Sequence, residues 1–131
     1  MRRGPGAAAL VAVSLLGGCS TPSYDRTIEV KARYSRFDPE AIEVRAGQSV
    51  RFTVRNDDPI AHELIIGDQA THDRHEKGTE TEHGGASGEV SLPAGRTGST
   101  TFTFEEPGTL EFACHLPGHY AYGMKGTIRV S

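Results

Sequence analysis

From residue 26 onward, apolar and polar residues alternate along the chain. Ile28, Val30, Ala32 and Tyr34 interleave with Thr27, Glu29, Lys31 and Arg33, the period-two pattern of a strand with one face buried. The pattern returns at Ile42 and Val44 and again at Val50, Phe52 and Val54, with Gly47 placed for the turn between them. Further strands are predicted around Leu64 and Ile66, Phe102 and Phe104, Leu110 and Phe112, and Ile128 and Val130. Pro93-Ala94-Gly95 and Pro107-Gly108 punctuate the later ones. No segment carries apolar residues at helical spacing, so the expectation is an all-β, antiparallel sandwich. One stretch breaks the rhythm. Residues 71–88 hold His72, His75 and His83 without a large apolar side chain and read as a polar loop or flap.

The 131-residue length suits one domain. Ahead of it, Arg2 and Arg3 precede a mostly apolar run from Ala7 to Leu16, which has the charge and length of an export signal and is too short for the roughly 20 residues of a bilayer span. Leu16-Gly17-Gly18-Cys19 resembles the lipobox of bacterial lipoproteins. The expected division is a signal peptide over 1–18, a lipidated Cys19 and polar tether over 19–25, and the folded domain over 26–131. The six tether residues after Cys19 reach at most about 20 Å, which holds the domain close to a membrane. The expected address is the outer face of the cytoplasmic membrane, in a periplasm or at a cell surface.

Without the first eighteen residues the chain has 12 basic against 17 acidic side chains, a net charge of −5. That balance excludes nucleic acid as a partner, because phosphate binding needs a basic surface. It also gives no reason to expect more than a monomer. Two cysteines in an exported protein can pair. If Cys19 carries lipid, Cys114 has no cysteine partner and must be explained by itself.

Strand parity gives a reason. Leu110, Phe112 and Cys114 share one face, as do His62, Leu64 and Ile66, so Cys114 and His62 both point inward from separate strands. In the run CHLPGHYAYGM, Cys114, His119 and Met124 follow one another at five-residue intervals, with Pro117-Gly118 bending the chain and Gly123 ahead of Met124. A thiolate, two imidazoles and a thioether form a soft, mixed donor set that suits copper cycling between two oxidation states.

The run Cys-His-Leu-Pro-Gly-His-Tyr, with Gly123-Met124 behind it and Ala61-His62 upstream, resembles the cupredoxins, the type 1 blue copper proteins such as plastocyanin, azurin and rusticyanin. Phe37-Asp38-Pro39 resembles the family's entry to its second strand, and the likeness extends over most of residues 26–130. It implies a Greek-key β-sandwich of about eight strands holding one copper near one end. The implied ligands are His62, Cys114, His119 and Met124. The implied role is electron transfer without enzymatic activity, with redox protein partners docking where the edge of His119 meets solvent. Leu116, Tyr120 and Tyr122 either form that docking patch or pack the loop.

Glu63 departs from the pattern of plastocyanin and azurin, and the flap is richer in histidine than a simple electron carrier needs. Glu63 stands where plastocyanin and azurin place asparagine, which keeps the backbone amide toward the sulfur while losing the side-chain lock. His115 directly follows the cysteine, and parity turns it away from the site toward the surface. The histidines of the flap, His72, His75 and His83, suit either a solvated loop or a second copper or zinc site with Asp73 or Glu76. A copper-buffering or copper-resistance lipoprotein is the alternative function, and a metal-free binding module shares the fold without the chemistry.

Overall fold

The structure is a computed structural model that describes Met1 and residues 23–78 and 86–131. The signal peptide, Cys19 and His83 lie outside the described residues. Nine strands and two short helices follow in the order β1 (Arg26–Arg33), β2 (Arg36–Asp38), β3 (Ala41–Val44), β4 (Ser49–Asn56), β5 (His62–Gly67), α1 (Gln69–Lys77), β6 (Glu89–Leu92), β7 (Thr97–Thr103), β8 (Gly108–Ala113), α2 (His119–Tyr122) and β9 (Lys125–Val130). They form two sheets, β2-β1-β4-β7 and β3-β9-β8-β5-β6.

The alternation read from the sequence is the alternation that is buried. Ile28, Val30 and Ala32 of β1 lie beside Phe52 and Val54 of β4, facing Ile42, Leu64, Phe112 and Ile128 of the other sheet. Phe37 meets Phe112 across the core at 5.4 Å between ring centroids, and Phe52 meets Phe104 at 6.2 Å. Every buried side-chain nitrogen and oxygen among the described residues has a hydrogen-bond partner, as a close-packed core requires.

Four features differ from expectation. The sandwich is not wholly antiparallel: β1 runs parallel to β4 and β3 parallel to β9. Alternation reports a half-buried face and carries no information on strand direction. The first strand ends at Arg33, and Tyr34 is 71% exposed, because Tyr34 and Ser35 turn through positive φ with both amides held by Asp58. Strand β6 is a short addition at the edge next to β5, built on Val90 and Leu92.

The fourth difference concerns the flap. Its first part is helix α1, capped by Asp68, whose carboxylate accepts the Thr71 amide. Hydrophobic periodicity missed it because the one residue α1 buries is a histidine, His72.

Candidate metal centre

His62 opens β5, and Cys114 follows directly on β8, its antiparallel neighbour. Their adjacency in the sheet places both side chains at one end of the sandwich, where both are buried. The remaining residues come from the connection to β9. Gly118, at φ +83°, starts the single turn of α2, and Gly123, at φ +101°, ends it. Both values lie where only glycine is unstrained. The turn is closed by main-chain bonds: Met124 N donates to His119 O at 3.0 Å, and Cys114 N donates to Met124 O at 3.1 Å. Arg36, from the opposite sheet, donates to Gly123 O at 3.1 Å and lies over the Tyr122 ring. Met124 is fully buried.

The structure thus brings His62, Cys114 and His119 together, with Met124 buried on the same loop. Nδ1 of His62 lies 3.2 Å from Nδ1 of His119, and Sγ of Cys114 lies 3.3 Å from the same His119 nitrogen. The donor atoms of His62, Cys114 and His119 all lie within 4.8 Å of one another, the one such convergence of three among the described residues. The far side of His62 fixes its tautomer. Nε2 faces the Asp58 carboxylate at 2.8 Å and holds the hydrogen there, leaving the Nδ1 lone pair directed into the site. Burial works to raise the Asp58 pKa, but hydrogen bonds from Ser35, His62 and Tyr34 outweigh it and hold the carboxyl below its usual range.

Burial also governs the other donors. It pushes the Cys114 thiol up to about 11, against the opposing hydrogen bonds from the backbone amides of Leu116 and Glu63. A buried thiolate therefore needs a cation beside it. Burial, followed by the proximity of His62, lowers the His119 pKa and keeps its lone pair available near neutral pH. A soft sulfur and two neutral imidazoles that converge, with a buried thioether on the same loop, fit type 1 copper.

The side-chain lock expected to be lost at Glu63 is present in another form. Glu63 is buried, and its Oε1 accepts the His115 amide at 2.9 Å. A carboxylate oxygen can accept that bond as well as an amide oxygen. His115 points away from Cys114, as parity requires, yet its side chain is 1% exposed rather than at the surface, because α1 covers it. His72 and His75 lie together on α1 beside it. Sequence reasoning overlooked Asp58, whose only signal was an acid four residues before an inward histidine, and the clamp formed by Arg36.

A two-sheet sandwich with a buried cysteine, two histidines and a methionine at one end defines a mononuclear copper protein. The chain belongs to the cupredoxins: the family model described as "Cupredoxin-like domain" matches residues 6–130. It is 34% identical over 137 residues to the copper-resistant cuproprotein CopI of Pseudomonas aeruginosa, covering 80% of this chain and 76% of that one. It is 37% identical over 99 residues to CopI of Rubrivivax gelatinosus, covering 72% of this chain and 59% of the relative. Among solved structures, auracyanin B superposes with a TM-score of 0.69 at 25% identity, covering 85% of this chain and 92% of that one. Dithionite-reduced auracyanin from Roseiflexus castenholzii also gives 0.69, at 26% identity, covering 83% and 99%.

Proposed function

We propose that this copper protein carries single electrons between redox partners outside the cytoplasm and transforms no substrate itself. The observation that carries the reading is the anchoring of the donor set. Asp58 holds His62, Glu63 holds the amide next to Cys114, and the main chain links Cys114, His119 and Met124. A site held from so many sides changes little when charge arrives, which keeps the reorganisation cost of electron transfer small. Copper supplies the one-electron couple when bound, and the protein supplies a fixed geometry and a dry surround.

Redox proteins would dock at the end of the sandwich where His119 is partly exposed, flanked by Leu116 and the exposed Tyr122. A lipid on Cys19 would hold the domain at the outer face of the cytoplasmic membrane, acting as a monomer. No helix among the described residues is long and apolar enough to span a bilayer.

A second reading, copper resistance, is supported by the names of the curated relatives from P. aeruginosa and R. gelatinosus. The test takes the mature domain with one equivalent of Cu(II) and records its visible spectrum before and after ascorbate, then its exchange with a small redox protein. An intense thiolate-to-copper band that bleaches, returns on oxidation and exchanges rapidly supports the carrier. Reversible copper binding without electron exchange, with copper sensitivity on gene deletion, supports resistance instead.

A further inference from the structure

Behind the candidate copper centre lies a second group of histidines. The loop from Cys114 to Met124 serves both places: Cys114 and His119 turn toward the first centre, while their successors His115 and Tyr120 turn toward α1. There the Tyr120 ring stacks on His115 at 4.8 Å, and His115 lies against His72 at 5.1 Å and His75 at 5.9 Å between centroids. His72 and His115 are almost completely buried.

The hydrogen-bond partners fix the tautomers. His72 Nε2 faces the carbonyl oxygen of Glu111 at 3.0 Å, and His115 Nδ1 faces the carboxylate of Glu76 at 2.8 Å. Each of those partners only accepts, so each of those nitrogens carries the hydrogen. The two remaining nitrogens, His72 Nδ1 and His115 Nε2, face one another at 2.9 Å. In neutral rings both present lone pairs, and something positive must lie between them. The same relation holds at the first centre, where His62 donates to Asp58 and turns its Nδ1 toward His119 at 3.2 Å. A histidine whose far nitrogen donates to a carboxylate or a carbonyl is the usual form of a metal ligand. His75 lies beside the pair with both ring nitrogens facing acceptors, Nδ1 at 2.9 Å from the Thr71 carbonyl and Nε2 at 3.3 Å from the Glu89 carboxylate.

We propose that His72 Nδ1 and His115 Nε2 form a second cation site for a borderline divalent ion, Cu(II) or Zn(II), with water completing its shell. A pair of imidazoles matches the preferences of these ions and not those of hard, oxygen-seeking ones. Two tetrahedral metal–nitrogen bonds set their nitrogens about 3.3 Å apart, so the His72–His115 pair needs only a small spreading. The sequence pattern suggested His83 as the third histidine. His83 lies outside the described residues; the fold brings His115 to His72, from just beyond the end of β8. The proposal is independent of the electron-carrier reading, since it uses none of the first-centre ligands.

The experiment titrates Zn(II) calorimetrically into the full mature chain already loaded with one equivalent of Cu(II), whose thiolate band reports that the first centre is intact. One further Zn(II) per chain is expected, with zinc X-ray absorption showing at least two imidazole nitrogens at about 2.0 Å. His72→Gln and, separately, His115→Gln should each weaken that binding at least about tenfold while the thiolate band persists. Failure of the copper-loaded wild type to take up zinc would overturn the site, leaving the pair bridged by a proton. Uptake at full affinity in both variants, or a zinc shell without paired imidazoles, would overturn it too. The absorption measurement on wild type decides the matter even if a variant fails to fold. Loss of the thiolate band with zinc uptake intact would instead strike at the first centre alone.

Discussion

The Glu63 carboxylate accepts the His115 amide at 2.9 Å and so ties the strand that carries His62 to the loop that carries Cys114. The bond spans two adjacent strands at the point where β5 begins and β8 has ended, where ladder hydrogen bonds no longer hold the chains together. Glu63 therefore has two tasks: its amide reaches the Cys114 sulfur, and its side chain fixes the next residue.

Replacing Glu63 separates these tasks. Glu63→Gln keeps an acceptor oxygen and should retain most of the stability and the copper spectrum. Glu63→Ala leaves the His115 amide without its acceptor, at a cost of about 1–3 kcal/mol, and should speed copper loss. Urea denaturation and the rate of copper transfer to a chelator read both effects. Equal behaviour of the two variants would show that the lock has no role.

Much of this arrangement could be read along the chain. Inward positions in β1, β4, β5 and β8 followed from period-two alternation, and parity aligned Cys114 with Phe112 and His62 with Leu64. The parallel pairing of β1 with β4 was not legible, because parallel and antiparallel strands with one wet face share the same alternation. Helix α1 was hidden for a different reason. Its sequence, QATHDRHEK, has no apolar stripe, and the residue it buries, His72, is held by polar contacts to Glu111 and His115. His115 was read as a surface residue because parity gives a direction and not what covers it.

Copper binding should release a proton from Cys114. Below the value of about 11 set by burial, the thiol of the metal-free chain is protonated. With one proton displaced per ion, apparent affinity should climb about tenfold per pH unit in the neutral to mildly alkaline range. Competition titrations against a chelator of known proton dependence at several pH values check this. A slope near zero would mean that the thiolate is not a ligand.

The metal-free chain should itself be most stable between roughly pH 6.5 and 9. Above that window, folded Cys114 keeps its proton to about 11 while the unfolded thiol loses it near 9.0. The folded state then binds more protons, and about 2–3 kcal/mol is lost as pH rises through the interval. Below the window, His72 and His119 have lowered pKa values, chiefly from burial, so the unfolded chain binds protons first and stability falls with acid. Denaturant midpoints of chelator-treated protein across pH 5 to 11 give the profile. An alkaline limb unchanged in Cys114→Ala would refute its assignment to the thiol.

Gly126 marks the closest approach between β9 and the core. A Cβ there would run into the Phe112 ring and lie 2.6 Å from the Glu40 carbonyl. The ring is locked against Phe37 and the carbonyl accepts the Thr127 amide, so neither can withdraw cheaply. Gly126→Ala should therefore destabilise the fold by at least about 1–3 kcal/mol, the usual cost of overpacking. Thermal unfolding of the metal-free protein measures it, and a shift of less than a degree would contradict the geometry.

Asp58 serves both the stability of the fold and the geometry of the site through one carboxylate. Its oxygens accept the amides of Tyr34 and Ser35 at 2.7 and 2.8 Å, holding a turn at positive φ, and one of them also fixes Nε2 of His62 at 2.8 Å. Asp58→Ala removes all three bonds. Charge-assisted bonds of this kind are each worth about 1.5–3 kcal/mol, and relaxation of the exposed turn should limit the total to about 2–4 kcal/mol. Asp58→Asn is the more informative variant. Its amide oxygen can take the place of Oδ1, which serves Tyr34, or of Oδ2, which serves both Ser35 and His62; the nitrogen in the other place cannot accept, and an uncharged oxygen holds His62 less strongly than a carboxylate does. Either way His62 is held less firmly in its tautomer and orientation, so copper should bind about tenfold more weakly while most of the fold's stability remains. Denaturation and copper competition on the two variants separate these effects, and normal copper affinity in Asp58→Ala would show that the loop and strand orient His62 without Asp58.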